Sequence, residues 1–139
     1  MYYPDLSTYV YMGAHPGWIN IGWLAIGKPY NKGVVPPATL AKIGELCTRP
    51  SNRTRGAHDC PWCPGVHVRE DVLGDGVERL LGTAEIHVSG GGIYWMYVAP
   101  TLMIYHYILR HGYLPPREFL DAVERFADVA TPWVGRELE

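Results

Sequence analysis

Cysteine is scarce in this 139-residue chain, which holds three: Cys47, Cys60 and Cys63. The N-terminal stretch "MYYPDLSTYVYMG" has no basic segment followed by an apolar run, so no signal peptide is expected. An odd cysteine count in that setting speaks against a disulfide framework. A cytoplasmic home is expected, with thiols reduced or bound to metal. Charge is sparse as well: charged residues make up 19% and the formal net charge is −2. No global field therefore draws the chain to nucleic acid or to an anionic membrane. Long apolar runs are missing too. The longest, "IYWMYVAPTLMIYHYIL", is interrupted by Pro100 and His106, and a membrane span needs roughly 20 mostly apolar residues. No nucleophile elbow or serine-triad signature appears, and "SGGGI" joins two strands rather than opening a phosphate-binding helix.

What is present suits a folded protein. Hydrophobic residues make up 47%, and the length is that of one ordinary domain. No internal repeat is visible, so residues 1–139 are expected to form a single domain. "TYVYM" and "WINIGWLAI" are short, aromatic and β-branched, and read as strands. "VVPPATLAKIGELC" reads as a helix with Pro37 near its first turn and an apolar face of Leu40, Ile43, Leu46 and Cys47. Gly44 weakens that helix by about 1 kcal/mol relative to alanine. "TAEIHVSGGGIYWMYVAP" reads as a hairpin turning at Gly90 to Gly92. Its first strand sends Ala84, Ile86 and Val88 one way and Glu85 and His87 the other. Its second is apolar on both faces and so belongs in the middle of a sheet. "PTLMIYHYILRHG" reads as a helix ended by Gly112. "PPREFLDAVERFADVA" reads as an amphipathic helix with Phe119, Leu120, Val123, Phe126 and Ala127 on one stripe.

The segment from Arg49 to Glu78 has no period, and a structureless loop of that length is uncommon in a compact domain. Within it lies "TRGAHDCPWCPGVH". Cys60 and Cys63 sit at CxxC spacing, which lets both thiolates reach one ion, as in half of a zinc knuckle. His58, two residues upstream, is the third candidate donor. The fourth is open among Cys47, His67 and His106. An unpaired imidazole at His106 would be costly among Ile104, Tyr105, Tyr107 and Ile108, while Cys47 also fits the core as a small hydrophobe. A thioredoxin-like redox site is disfavoured, because the residues before Cys60 are not a strand and Pro64 and Gly65 follow at once. His106 and His111 are five residues apart, about 140° around a helix, and do not form an HExxH motif. "AEIH" follows the cysteines instead of preceding them, which is a poor match to zinc deaminases.

"YYPDLSTYVY", "NIGWL", "TRGAHDCPWC" and "YVAPTLMIYHYILRHGYLPPREFLDAV" together resemble an uncharacterised family of small bacterial proteins. The family pattern carries Arg-Gly-x-His-x-Cys-x-x-Cys, matched by Arg55, Gly56, His58, Cys60 and Cys63, and a histidine-tyrosine pair matched by His106 and Tyr107. That resemblance favours His106 as fourth donor, and it brings no activity with it.

The expectation is an α+β fold: a small, mostly antiparallel sheet with about three helices and a zinc-stabilised loop. The expected ligands of Zn2+ are His58, Cys60, Cys63 and His106. The expected function is that of a small bacterial zinc-binding protein with a structural metal, acting through a protein partner as an immunity or accessory protein. Two alternatives stand beside it. One is an enzyme with an open zinc position and Glu85 or His87 as acid or base. The other is a nucleic-acid-binding module using Arg49, Arg53, Arg55 and Trp62.

Overall fold

The computed structural model describes residues 2–9, 17–48, 59–65, 67–82, 85–89, 96–99 and 103–126. Eight elements follow in chain order: β1 (Trp18–Asn20), α1 (Pro37–Leu46), β2 (Arg69–Glu70), β3 (Arg79–Leu80), β4 (Ile86–Ser89), β5 (Met96–Ala99), α2 (Met103–His111) and α3 (Arg117–Phe126). The fold class is α+β, as expected. β5 is the central strand of a three-stranded sheet ordered β1-β5-β4. It runs antiparallel to β4, with Ile86 opposite Ala99 and Ser89 opposite Met96. Against β1 it runs parallel, with Trp18 opposite Met96 and Asn20 opposite Val98. The turn expected at Gly90 to Gly92 lies outside the described residues.

Within the segment from Arg49 to Glu78, the described residues 59–65 and 67–78 carry more structure than the lack of period suggests. β2 and β3 form a two-stranded antiparallel ribbon, with Arg69 opposite Leu80 and Glu70 opposite Arg79. The Asp71 carboxylate accepts the backbone N–H groups of Asp75 and Gly76 at 3.0 and 2.9 Å and closes the turn between them. Local side-chain to backbone bonds of this kind hold a turn without any hydrophobic period.

Each helix follows from its sequence. α1 begins on Pro37, whose fixed φ and missing N–H suit the first helical position. Ile43 and Leu46 are buried on its inner face. Gly44 belongs to that face because a Cβ there would lie 2.1 Å from the Val72 carbonyl oxygen. α2 is buried from Met103 to Ile108 and stops at Gly112, which adopts φ +66°, a left-handed conformation that glycine takes without a steric penalty. α3 buries Phe119, Ala122 and Val123 completely. The Phe126 side chain and Ala127, assigned to the same stripe, lie outside the described residues. α1 packs on α2 and α3, and α3 packs on β4.

The core cluster draws on Ile21, Ile43, Ile86, Val88, Ile104, Tyr113 and Phe119, and it includes Cys60. Glu85 and His87 face away from Ile86 and Val88, as strand alternation requires, yet that face is also buried. There Tyr9 donates its hydroxyl to Glu85 Oε2 at 2.7 Å, and His87 Nε2 meets Glu85 Oε1 at 2.9 Å. A smaller aromatic cluster of Tyr9 and Trp23, with Tyr3 and Trp18 packed on it, adjoins them. The N-terminal segment is latched from the other side. Tyr113 donates to the Asp5 carboxylate at 2.8 Å, which also accepts the Gly22 N–H at 2.8 Å.

Candidate metal centre

Cys60 and Cys63 lie on a tight turn closed by a bond from the Cys63 N–H to the Cys60 carbonyl, at 3.1 Å. Such a turn points both sulfurs to one side. They meet two imidazoles from α2. His106 is buried on the helix, and His111 is its last residue, half-buried beside Gly112. One ligand atom from each of Cys60, Cys63, His106 and His111 lies within 4.8 Å of all the others. Cys60 Sγ is 3.4 Å from His111 Nε2, Cys63 Sγ is 3.5 Å from His106 Nε2 and 3.7 Å from His111 Nε2, and the two Nε2 atoms are 3.3 Å apart.

These lengths can be compared with a tetrahedral ion. Zinc bound at about 2.3 Å to sulfur and about 2.05 Å to nitrogen sets sulfur–nitrogen edges near about 3.5 Å and a nitrogen–nitrogen edge near about 3.3 Å. The four measured edges match within about 0.2 Å of these values. Four of the six donor–donor edges thus have tetrahedral lengths and all six are within 4.8 Å, so the four side chains could hold a metal ion.

The electrostatics prepare the donors unequally. Burial pushes the Cys60 thiol up to about 11, with the backbone amides of Trp62 and Cys63 pulling it back in part. A divalent cation reverses that balance by stabilising the thiolate. Burial, and then the adjacent His106 ring, holds His111 below the usual histidine range, in the neutral form that coordinates. Behind His106 stands Glu70 on β2. Its Oε2 accepts from His106 Nδ1 at 2.8 Å, which leaves the Nε2 lone pair facing the sulfurs. Burial alone would raise the Glu70 carboxyl, but hydrogen bonds from Arg110 and then His106 hold it below the ordinary carboxylate range.

An aromatic wall encloses the turn. Trp62 packs on Tyr30, Tyr107 and His111 with ring centroids 5.5, 5.9 and 5.1 Å apart. Tyr30 also donates to the His111 carbonyl at 2.9 Å. Tyr30 thus ties the segment before α1 to the end of α2.

The expected donors Cys60, Cys63 and His106 come together. His58 lies outside the described residues, as do Arg49, Arg53 and Arg55 of the nucleic-acid reading. His67 is exposed and bonds to Asp59 at 2.9 Å, and Cys47 is buried at the end of α1. Neither belongs to the four-donor group. The donor that sequence reasoning missed is His111. Its 140° offset from His106 told against a shared site, but that offset applies only to ligands approached squarely from the helix side. Both imidazoles are long, and at the helix end both Nε2 atoms turn to the cysteine loop. The available signal was the His-x4-His spacing, which falls within the range common at zinc sites.

The fold and the donors define a class: a small α+β protein with a Cys2His2 cluster able to hold a metal ion. The chain belongs to the family described as Domain of unknown function (DUF7919), whose model matches residues 1–124. The match takes in both halves of the cluster. No curated protein and no solved structure matches the chain. No helix among the described residues is long and apolar enough to cross a membrane.

Proposed function

We propose that this is a zinc protein whose Cys60, Cys63, His106 and His111 form a structural centre, and that it acts through a protein partner, as a bacterial immunity or accessory protein would. The observation that carries the metal reading is the convergence of the four donors within 4.8 Å, with four of their six edges at tetrahedral lengths. Two sulfurs and two imidazole nitrogens in a tetrahedron suit zinc, a soft-tolerant ion without geometric demands of its own. Four protein donors close the coordination sphere, whereas catalytic zinc keeps a position for water or substrate. The acid and base suggested for an enzyme, Glu85 and His87, are bonded to one another, and Glu85 also accepts from Tyr9. Trp62, named in the nucleic-acid alternative, is half-buried among Tyr30, Tyr107 and His111. A closed four-donor centre and the engagement of Glu85 and Trp62 within the fold support a partner-binding role over an open-site enzyme.

Elemental analysis of protein purified without chelator is expected to give about one zinc per chain. Absence of any stoichiometric transition metal would falsify the reading. Metal affinity is also expected to depend on pH. Cys60 is protonated at neutral pH in the metal-free fold, since its thiol sits at about 11. Binding must displace that proton, so apparent affinity falls as pH falls, by up to about tenfold per unit for each proton released. A zinc titration against a competing chelator, corrected for the chelator's own protonation, checks this over roughly one to two pH units around neutrality. A flat profile would remove the thiols from the ligand set.

A further inference from the structure

We propose that the centre is built asymmetrically: Glu70 and Arg110 fix His106 as the permanent donor, while His111 is the exchangeable one, through which a small external donor reaches the metal. This rests on the zinc reading above.

The two imidazoles have different supports. His106 sits inside α2 and is 5% exposed. Its Nδ1 is held by Glu70 at 2.8 Å. Glu70 is equally buried and is itself gripped by the Arg110 fork, Nε to Oε2 and Nη2 to Oε1, both at 3.1 Å. A bidentate guanidinium–carboxylate pair has a defined direction as well as strength. Glu70 also belongs to the β2–β3 ribbon, so the carboxylate is fixed by backbone pairing as well. A carboxylate behind a ligating histidine sets the ring's tautomer and orientation and raises its basicity, and removing such a partner typically weakens metal binding by about 10- to 100-fold.

His111 has none of this. Its polar side-chain contacts all run through Nε2, and among the described residues its Nδ1 has no hydrogen-bond partner. It is half-buried and is the last residue of its helix. Among the described residues, the rings that lie against it are the tilted Trp62 and Tyr107 and the neighbouring His106. Rotation of this ring would leave three donors, Cys60, Cys63 and the braced His106, with one open position at the more accessible side. An imidazole or a low-molecular-weight thiol supplies the kind of donor that position takes, since both are good zinc ligands. Glu70 is then a positioning residue, because it acts on the metal only through His106.

The experiment compares four full-length proteins, the parent, His111→Ala, His106→Ala and Glu70→Gln, loaded with cobalt(II) as a spectroscopic stand-in and with zinc for affinity. His111→Ala is expected to keep one metal per chain at reduced affinity. Added imidazole should then restore the parent's tetrahedral cobalt spectrum. His106→Ala is expected to lose the metal without rescue, because the space is enclosed and Glu70 loses its imidazole partner. Glu70→Gln should keep the parent's spectrum and bind zinc about tenfold more weakly. Equal loss in the two histidine variants, rescue of His106→Ala alone, or unchanged affinity in Glu70→Gln would each overturn the asymmetry. If His106→Ala does not fold, the affinity of Glu70→Gln and the rescue of His111→Ala decide it. A parent that binds no metal would overturn the zinc reading itself, which is a separate and distinguishable result.

Discussion

Replacing Cys60 by serine is expected to abolish stoichiometric metal binding and to lower the thermal midpoint by more than about 10 °C. Cys60 is 1% exposed and belongs both to the donor cluster and to the core. A metal held by the four donors would join residues 60 and 63 to residues 106 and 111, and so would tie the cysteine turn to a helix that arrives about 40 residues later in the chain. Structural zinc contributes about 10–16 kcal/mol to small domains that have little else. This chain has a hydrophobic core of its own, so a smaller share is expected, on the order of 3–5 kcal/mol. For a domain of this size, about 1 kcal/mol moves the midpoint by about 3–4 °C. Cys47→Ala is the control. Cys47 is a buried thiol outside the cluster, and its truncation should cost about 1 kcal/mol with the metal retained. Thermal unfolding of both variants and the parent, each with and without chelator, makes the comparison. A Cys60→Ser protein that has lost its metal but melts with the parent would show that the centre is not structural.

Gly44→Ala is expected to destabilise the fold by about 2–3 kcal/mol, although alanine is the better helix former by about 1 kcal/mol. The new Cβ would stand 2.1 Å from the Val72 carbonyl oxygen and 3.1 Å from its carbon, with the Tyr105 ring at 3.2 Å. The obstacle is backbone, which cannot rotate aside, so α1 and the β2–β3 turn must separate. Val72 is two residues from Glu70, and Tyr105 precedes His106. Separation therefore reaches the Glu70 carboxylate behind His106. Zinc affinity should fall along with stability, although residue 44 touches neither the metal nor its ligands. Chemical denaturation and a zinc competition titration on the same preparation test both. A Gly44→Ala variant more stable than the parent would mean the close approach is relieved without cost.

The glycine shows where sequence reasoning stops. From the sequence, Gly44 is a defect in an otherwise acceptable helix, because the residue it makes room for, Val72, lies 28 positions away. The local features were legible. Pro37 opened α1, Gly112 closed α2, and the apolar stretch ending at Ala99 was the central strand. Each of these follows from the conformational limits of one or two residues or from a short period. Cys60 and Cys63 were legible because their spacing is itself the geometry of the turn. Three features were not legible. The parallel pairing of β1 with β5 joins segments far apart in the chain and leaves no local mark. β2 and β3 are two residues each, too short for any alternation, so their region read as loop. Glu70 looked like one charge among several, and only the fold brings it to His106, 36 positions on. His111 was a different failure: its spacing was visible, but its role was judged by helix angle alone.

The division of the donors between Cys60–Cys63 and His106–His111 also has a consequence during synthesis. Forty-eight residues separate Cys63 from His111. At about 5–20 residues per second, the ribosome needs roughly 2–10 seconds to add them. For that interval the nascent chain presents two neighbouring thiols with no imidazoles from α2 to share an ion. Oxidation or capture of a wrong metal competes best then, before α2 is complete. A cell making this protein under oxidant stress would lose it mainly as newly made chains, while in molecules already folded Cys60 is buried and Cys63 half-buried against α2.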